Sequence, residues 1–455
     1  MFPTLGSRAG ASSLFATACL LFLCLLSACS RLEPPTKAGE LVVGLRDSPA
    51  FYQMEDGVPS GYDYDLAAAF AAELGVKLRV VPAHDPEVLA DLLRKGKIHI
   101  ALSTPMADGS NELLYTPPQR ESNFVVVYNA DHIGPDNADD LAGREVTLTA
   151  NSPAHALLKD LKLTPAQIHD SADGNEIDLL DKLAQHKVDL VITDSLHYNI
   201  ASNFFPDLRI GFTLPGRVML GWAFNKDEEP LYQQALTFLK AARADGTMAR
   251  LEDRYFGHIR RINEVGIAAF LQDVQTKLPN YRHDFQMAQE ITGIDWRLIA
   301  ALAYQESKWD PLATSFTGVR GMMMLTGETA DRLGVKNRLD PKQSIHAGAE
   351  YLADLADDLP EEVKNPDRLW LALAAYNLGM GHMNGARAIA QSMGRDPNSW
   401  YEMKKVLPLL ARPEYYARLK SGRARGGEAV IMVENLRTYY DTLVRFEPAF
   451  KPRFR

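Results

Sequence analysis

The sequence predicts a multidomain protein, a two-lobe α/β domain followed by an all-α domain. Three observations carry this. The chain has 455 residues, enough for two or three domains. From Glu40 short β-rich runs alternate with longer helical ones, and from about Ala268 the pattern is helical throughout. Charge changes between the two parts. Residues 30–258 hold 21 Lys+Arg and 34 Asp+Glu, a balance of −13, and residues 259–455 hold 27 and 24, a balance of +3. No large basic surface is implied, so no nucleic-acid partner is expected. A smaller basic stretch, Lys404 to Arg425, reads as a solvated face or a contact to an anionic polymer.

Residues 1–29 read as a signal peptide: Arg8, then the apolar run "LFATACLLFLCLLSAC", too short for a well-flanked membrane span. Leu26-Ser27-Ala28-Cys29 resembles a bacterial lipobox. That resemblance implies lipidation at Cys29 and, with Ser30 next, the periplasmic face of the outer membrane of a Gram-negative bacterium. Plain cleavage and an uncleaved membrane helix are the alternatives. Residues 30–39 form a tether stiffened by Pro34-Pro35. All three cysteines, Cys19, Cys24 and Cys29, fall in the first 29 residues, so neither a disulfide framework nor a cysteine-clustered zinc site is available beyond them. No metal or organic cofactor is expected.

Residues 40–258 form the first folded unit. "ELVVGLR", "VKLRVVPA" and "IHIALST" read as strands, and "YDLAAAFAAELG" and "PEVLADLLRKGK" as the helices between them. This βαβαβ order predicts a parallel sheet. The rhythm returns in "REVTLTA", "SPAHALLKDL", "NEIDLLDKLAQHK" and "VDLVITDS", a second lobe. The chain leaves lobe one near Tyr128 and returns near Gly221, two crossings that predict a hinge and a cleft suited to a small ligand. "GYDYDLAAAFAAELG", "LLRKGKIHIALST", "DLAGREVTLTANSPAHALLKDL" and "HKVDLVITDS" resemble periplasmic solute-binding proteins that capture amino acids. Asp194 matches the acidic residue that meets a ligand amine in that family. Two positions depart from its pattern. Gly109 stands where an arginine usually grips the ligand carboxylate, and Asn151-Ser152-Pro153 replaces the usual Gly-Thr. The resemblance with these departures implies a non-catalytic, regulatory domain for a peptide-like ligand such as a muropeptide. A domain that binds nothing is the alternative.

Residues 268–455 form the all-α domain. Its central feature is Glu306, near the end of a helix capped by Asp295 and stopped before Pro311. Ile299, Leu302 and Trp309 fall on its face at helical spacing. A carboxyl group so placed is partly desolvated, which raises its pKa and lets it donate a proton near neutral pH. A glutamate that reaches water past Trp309 is the competing reading.

The surrounding residues discriminate. "ESKWDPLATSFTGVRGMMML" resembles the first motif of the lytic transglycosylases, with Glu306, Ser307, Ser315 and Gly321 in place and Met324 where many relatives have glutamine. "DPKQSIHAGAEYL" resembles their second motif, and "LAAYNLGMGHM", with Tyr376 and Asn377, their third. The whole chain resembles the membrane-bound branch in which a solute-binding-like domain is fused to a lysozyme-like transglycosylase domain. The resemblance implies cleavage of the MurNAc–GlcNAc β-1,4 bond of peptidoglycan without water, leaving 1,6-anhydro-MurNAc ends, with Glu306 as general acid and then base. It places Ser307, Ser315, Met324, Tyr376 and Asn377 at the substrate. Gly318 and Gly321 would let the backbone approach the glycan. A hydrolase of this bond needs a second carboxylate about 5 Å or about 6.5–9.5 Å from the first. Asp310 reads as a turn residue, and Glu328 and Asp331 as solvated. A glycan- or muropeptide-binding sensor and a hydrolytic muramidase are the alternatives.

Overall fold

A computed structural model describes residues 31–451 apart from 56, 84, 107–111, 159–166 and 172–174. The predicted signal peptide, Cys29 and Gly109 lie outside the described residues.

After a short helix α1 (Pro35–Ala38), lobe one is built from β1 (Glu40–Arg46), the ribbon β2 (Gln53–Glu55) and β3 (Val58–Ser60), α2 (Tyr62–Glu73), β4 (Lys77–Ala83), α3 (Pro86–Arg94), β5 (Ile100–Pro105) and β6 (Leu113–Tyr115). β1 pairs in parallel with both β4 and β5. Its five central residues are all buried because α2 covers one face and α3 the other. Asp85 starts α3 by accepting from Glu87 N–H at 2.8 Å.

Two long strands make the hinge: β7 (Arg120–Asn129) and β11 (Leu208–Asn225). Between them lie β8 (Val146–Thr149), α4 (His155–Leu158), β9 (Ile168–Ser171), α5 (Glu176–Ala184), β10 (Leu190–Asp194) and α6 (Ser195–Ala201), which form lobe two. The main sheet is continuous through both lobes in the order β4-β1-β5-β11-β7-β10-β8-β9, with β6 added beside β11. The strands of the βαβαβ run are parallel as expected, and only the central crossing strands depart from that pattern. β11 runs antiparallel to β5 and to β7, and β7 antiparallel to β10, because a chain that crosses to lobe two and returns must reverse direction at the centre. After β11 come two helices, α7 (Glu229–Ala244) and α8 (Thr247–Phe256). They break at Gly246, which takes φ +81°.

The second domain contains α9 (Glu264–Thr276), α10 (Arg282–Thr292), α11 (Trp296–Ser307), α12 (Gly327–Arg332), α13 (Pro341–Asp357), α14 (Asp367–Leu378), α15 (Met380–Ser392), α16 (Trp400–Val406), α17 (Pro413–Tyr416) and α18 (Gly426–Phe446). Pro279 separates α9 from α10 with a single 3₁₀ turn, since it cannot donate to the helix ladder. Trp296 to Tyr304 of α11 are buried without exception, so this helix is the centre of the domain with no solvent face along its first nine residues.

The domains pack against each other through α18. One side packs on α11, with Tyr439 4.5 Å from the Phe270 ring and 4.9 Å from Tyr304. The other side meets the front domain. Thr438 Oγ1 donates to His258 O at 3.0 Å, Thr442 Oγ1 to Asn203 O at 3.3 Å, and His258 Nε2 bonds Asp441 at 2.5 Å. Arg437, itself buried, pairs with Glu434 at 3.0 Å and donates to Asp253 O at 3.1 Å. From the basic stretch, Lys404 is an interdomain ion-pair partner of Asp253.

Candidate active site and interlobe cleft

α11 positions Glu306. Asp295 caps the helix by accepting from Arg297 N–H at 2.8 Å, and its carboxylate also holds the buried Arg297 guanidinium. The helix ends at Ser307 because Lys308 and Trp309 both take left-handed backbone, φ +56° and +54°. Trp309 is therefore not at helical spacing from Glu306, as the sequence reading assumed. Its indole folds back into the core and donates to Ala300 O at 2.9 Å. Lys308 lies over the Tyr304 ring at 4.3 Å and reaches Tyr439 Oη at 3.2 Å, which fixes the helix end from the α18 side.

The Glu306 carboxyl is partly buried and has no hydrogen-bond or ion-pair partner among the described residues. Burial pushes its pKa up to about 7, and no neighbouring carboxylate contributes to that rise. A carboxyl raised in this way can hold a proton near neutral pH, and no partner among the described residues competes for it. Asp310, Glu328 and Asp331 are all exposed, and Asp310 Oδ1 is occupied in its turn by Leu312 N–H at 2.9 Å.

Two motif hydroxyls go to the backbone that passes Glu306. Ser307 Oγ donates to Met322 O at 2.8 Å, and Tyr376 Oη to Met323 O at 2.8 Å. Ser344 Oγ accepts from Met323 N–H at 3.1 Å on the other side. Burial, and then the nearby Glu306 charge, hold the Tyr376 phenol well above its usual range, so it stays a neutral donor. Met322 and Met323 are fully buried core residues, and Met324 is half-buried at φ +49°. Gly321 needs its φ of +82°. The close approach it permits is to the chain itself, since a Cβ there would lie 1.8 Å from Arg338 O. Gly318 sits at an exposed turn. Ser315 Oγ bonds Thr317 Oγ1 at 2.7 Å within the loop, and Asn377 is exposed. Arg338 fastens this loop by donating to Gly318 O and Leu325 O, both at 2.9 Å. At its tip Phe316 is 98% exposed, a feature the sequence reading passed over.

The interlobe cleft is largely filled by the protein's own side chains. Arg46 of lobe one forms an ion pair with Glu176 of lobe two, Ser48 Oγ meets His197 Nε2 at 2.9 Å, and the Phe51 ring stacks on His197 at 5.2 Å. Asp194 lines this cleft, but its oxygens cap α6 through Leu196 N–H and His197 N–H at 3.0 and 3.1 Å and hold His197 Nδ1 at 2.5 Å. Burial opposes its ionisation, yet His197 brings Asp194 down to about 2. Burial would lower His197, and Asp194 and Glu176 overcome that and raise it. Glu176, Asp194 and His197 place possible metal-ligand atoms within 4.8 Å of one another, with Arg46 as the cation already beside them. The remaining space is about 30 Å³, room for water only. A larger hollow of about 700 Å³ lies at the cleft mouth, lined by Arg94, Met106, Tyr115, Asn151 and Arg217 among others. Arg46, Phe51, Glu176 and His197 were missed in the sequence because they come from four separate elements and match no local motif.

The family model for the Transglycosylase SLT domain matches residues 284–399, and that for Bacterial extracellular solute-binding proteins, family 3, matches residues 41–258. Among solved structures, an amino acid ABC transporter substrate-binding protein from Streptococcus pneumoniae bound to L-arginine is 23% identical. It is similar over 49% of this chain and 96% of its own, with a TM-score of 0.44. Membrane-bound lytic murein transglycosylase F of Nitrosospira multiformis is 42% identical over 99% of this chain and 96% of its own. The protein of that name from Thiobacillus denitrificans is 43% identical over 99% of this chain and 97% of its own. At that identity over nearly the full length of both, the chain belongs to the membrane-bound lytic murein transglycosylase F family.

Proposed function

We propose that the protein is a peptidoglycan lytic transglycosylase in which Glu306 acts alone as general acid and then base. The observation that carries this is a partly buried carboxyl with no hydrogen-bond or ion-pair partner among the described residues, whose burial pushes its pKa up to about 7. Protonated Glu306 gives its proton to the glycosidic oxygen as the C1–O bond breaks. The substrate's own N-acetyl group supports the oxocarbenium-like centre. The Glu306 carboxylate then takes the proton of the MurNAc C6 hydroxyl, and O6 closes on C1. The product is a 1,6-anhydro-MurNAc end, no water is consumed, and Glu306 regains its proton. Ser307 and Tyr376 support the step by holding the Met322–Met323 carbonyls beside it. By the resemblance, Ser315, Met324 and Asn377 would contact the glycan strand.

Glu306→Gln tests the assignment. We expect cleavage of purified peptidoglycan to fall by about 10²–10⁴-fold, as removal of a general acid does, with thermal unfolding at pH 4 unchanged. Substantial cleavage by that variant would falsify the role of Glu306.

We propose two further roles on thinner support. Cys29 is lipidated and holds the protein at the periplasmic face of the outer membrane. The support is the lipobox and the name of the relatives. The front domain takes a peptide-bearing wall fragment at the cleft mouth, because the inner cleft has no room for an amino acid while Arg46 and His197 fill it. Calorimetry with muropeptides on the full-length mature protein should give heat at millimolar ligand. Silence there would remove this second role.

A further inference from the structure

The segment ahead of β1 is docked on lobe one. Leu32 N–H donates to Gly96 O at 2.9 Å, and its side chain packs with Val42, Leu89, Leu93 and Ile98. Arg31 pairs with Asp227 and lies against Gly96, where a Cβ would meet Arg31 Cγ at 2.7 Å. His99 is buried between the segment and the sheet. Its Nδ1 accepts from Val42 N–H at 2.9 Å, which leaves Nε2 to carry the proton and donate to Glu33 O at 3.0 Å. Burial lowers the affinity of this ring for a second proton, so the neutral form that makes both bonds is the one held. Cys29 stands two residues before Arg31, a reach of about 7 Å even when fully extended.

We infer that the lipid bilayer lies against one fixed face of lobe one, the face carrying Arg31, Lys95, Gly96 and the Lys226–Asp227 turn. This rests on the lipidation reading above. No leash separates the acyl chains from the folded domain, so Glu306 is held at a distance from the membrane set by the fold itself. The partner is a phospholipid headgroup surface. The acyl chains supply most of the affinity, since two of the cations on this face are already paired, Lys95 with Asp91 at 2.6 Å and Arg31 with Asp227. Zwitterionic and anionic headgroups therefore both fit.

Cleavage before Cys29 leaves a mature chain with no other cysteine, so one introduced thiol can be labelled. The acylated full-length protein is reconstituted in phosphatidylcholine–phosphatidylglycerol vesicles that contain headgroup spin-labelled lipid. Fluorophores go on Lys95→Cys and Lys226→Cys, and for comparison on Ile133→Cys in lobe two and Phe316→Cys in the helical domain, positions 92% and 98% exposed. Quenching should be several-fold stronger at 95 and 226 than at 133 and 316. Insertion of about 20 Gly-Ser residues between Ser30 and Arg31, with a reach of about 25 Å, should erase the difference. Equal quenching at all four sites, in protein that incorporates labelled palmitate, overturns the fixed face and leaves lipidation standing. Failure to incorporate palmitate overturns both.

Discussion

At the scale of one residue, the chemistry follows from what Glu306 lacks. Among the described residues it has no counter-ion and no donor, so nothing there offsets the loss of solvent, and burial pushes its pKa up to about 7. The acid form opens the reaction. We therefore expect kcat/KM to be level in acid and to fall about tenfold per pH unit above the pKa, with the midpoint near pH 7 in a pH–rate profile. The same shift affects stability. A carboxyl whose folded pKa lies above its unfolded value binds its proton more tightly when folded, so stability falls between about pH 4.5 and 7 and levels off beyond. Glu306→Gln should then be more stable than the parent above pH 7, by about 1–2 kcal/mol after allowing for the partly exposed carboxyl, and equal to it at pH 4. Thermal unfolding at the two pH values checks this. Ile299 and Leu302 at helical spacing point to a desolvated carboxyl, while the spacing alone leaves open a glutamate that reaches water. The role of Trp309 was not legible in the sequence, because two consecutive left-handed residues cannot be seen in a periodicity.

At the scale of the element, the segment Gly321 to Met324 is held from three sides, by Ser307, Ser344 and Tyr376. The motifs were legible as motifs, and their physical content became visible only in the fold: two hydroxyls from distant helices meet adjacent carbonyls of one loop. Tyr376→Phe removes one of these bonds. It should cost about 1 kcal/mol in stability and lower kcat about tenfold with KM little changed, as steady-state rates on muropeptides would show. Gly321→Ala meets both a positive φ and a carbonyl at 1.8 Å. It should cost at least about 2 kcal/mol in chemical denaturation. The strands and helices of lobe one were readable because their apolar runs are bounded by good caps and turns. The hinge strand β7 was not read at all, since "RESNFVVVYN" mixes a polar half with an apolar half as it passes between lobes.

At the scale of the molecule, the two domains share α18. Its sequence reads as an ordinary closing helix, but it presents one face to α11 and another to Asn203 and His258 of the front domain. Polar residues on a helix look solvent-facing in a sequence, and here Glu434, Arg437, Thr438 and Thr442 are buried at the junction. Arg437→Met leaves Glu434 with a buried, poorly compensated charge and should cost about 3 kcal/mol, seen as an earlier unfolding transition in calorimetry. The two-domain plan itself was legible from the change in periodicity near residue 268 and from the charge split. Joining the two sheets into one and latching the cleft with Arg46 and Glu176 were not, because both depend on contacts between residues far apart in the chain.

The central claim is that one carboxyl suffices and water takes no part. Mass spectrometry of the glycan ends made by the mature protein from purified peptidoglycan tests it most directly. The account predicts ends one water lighter than hydrolytic muropeptides and resistant to borohydride reduction. Reducible MurNAc ends would contradict it and would require a second carboxylate beside Glu306.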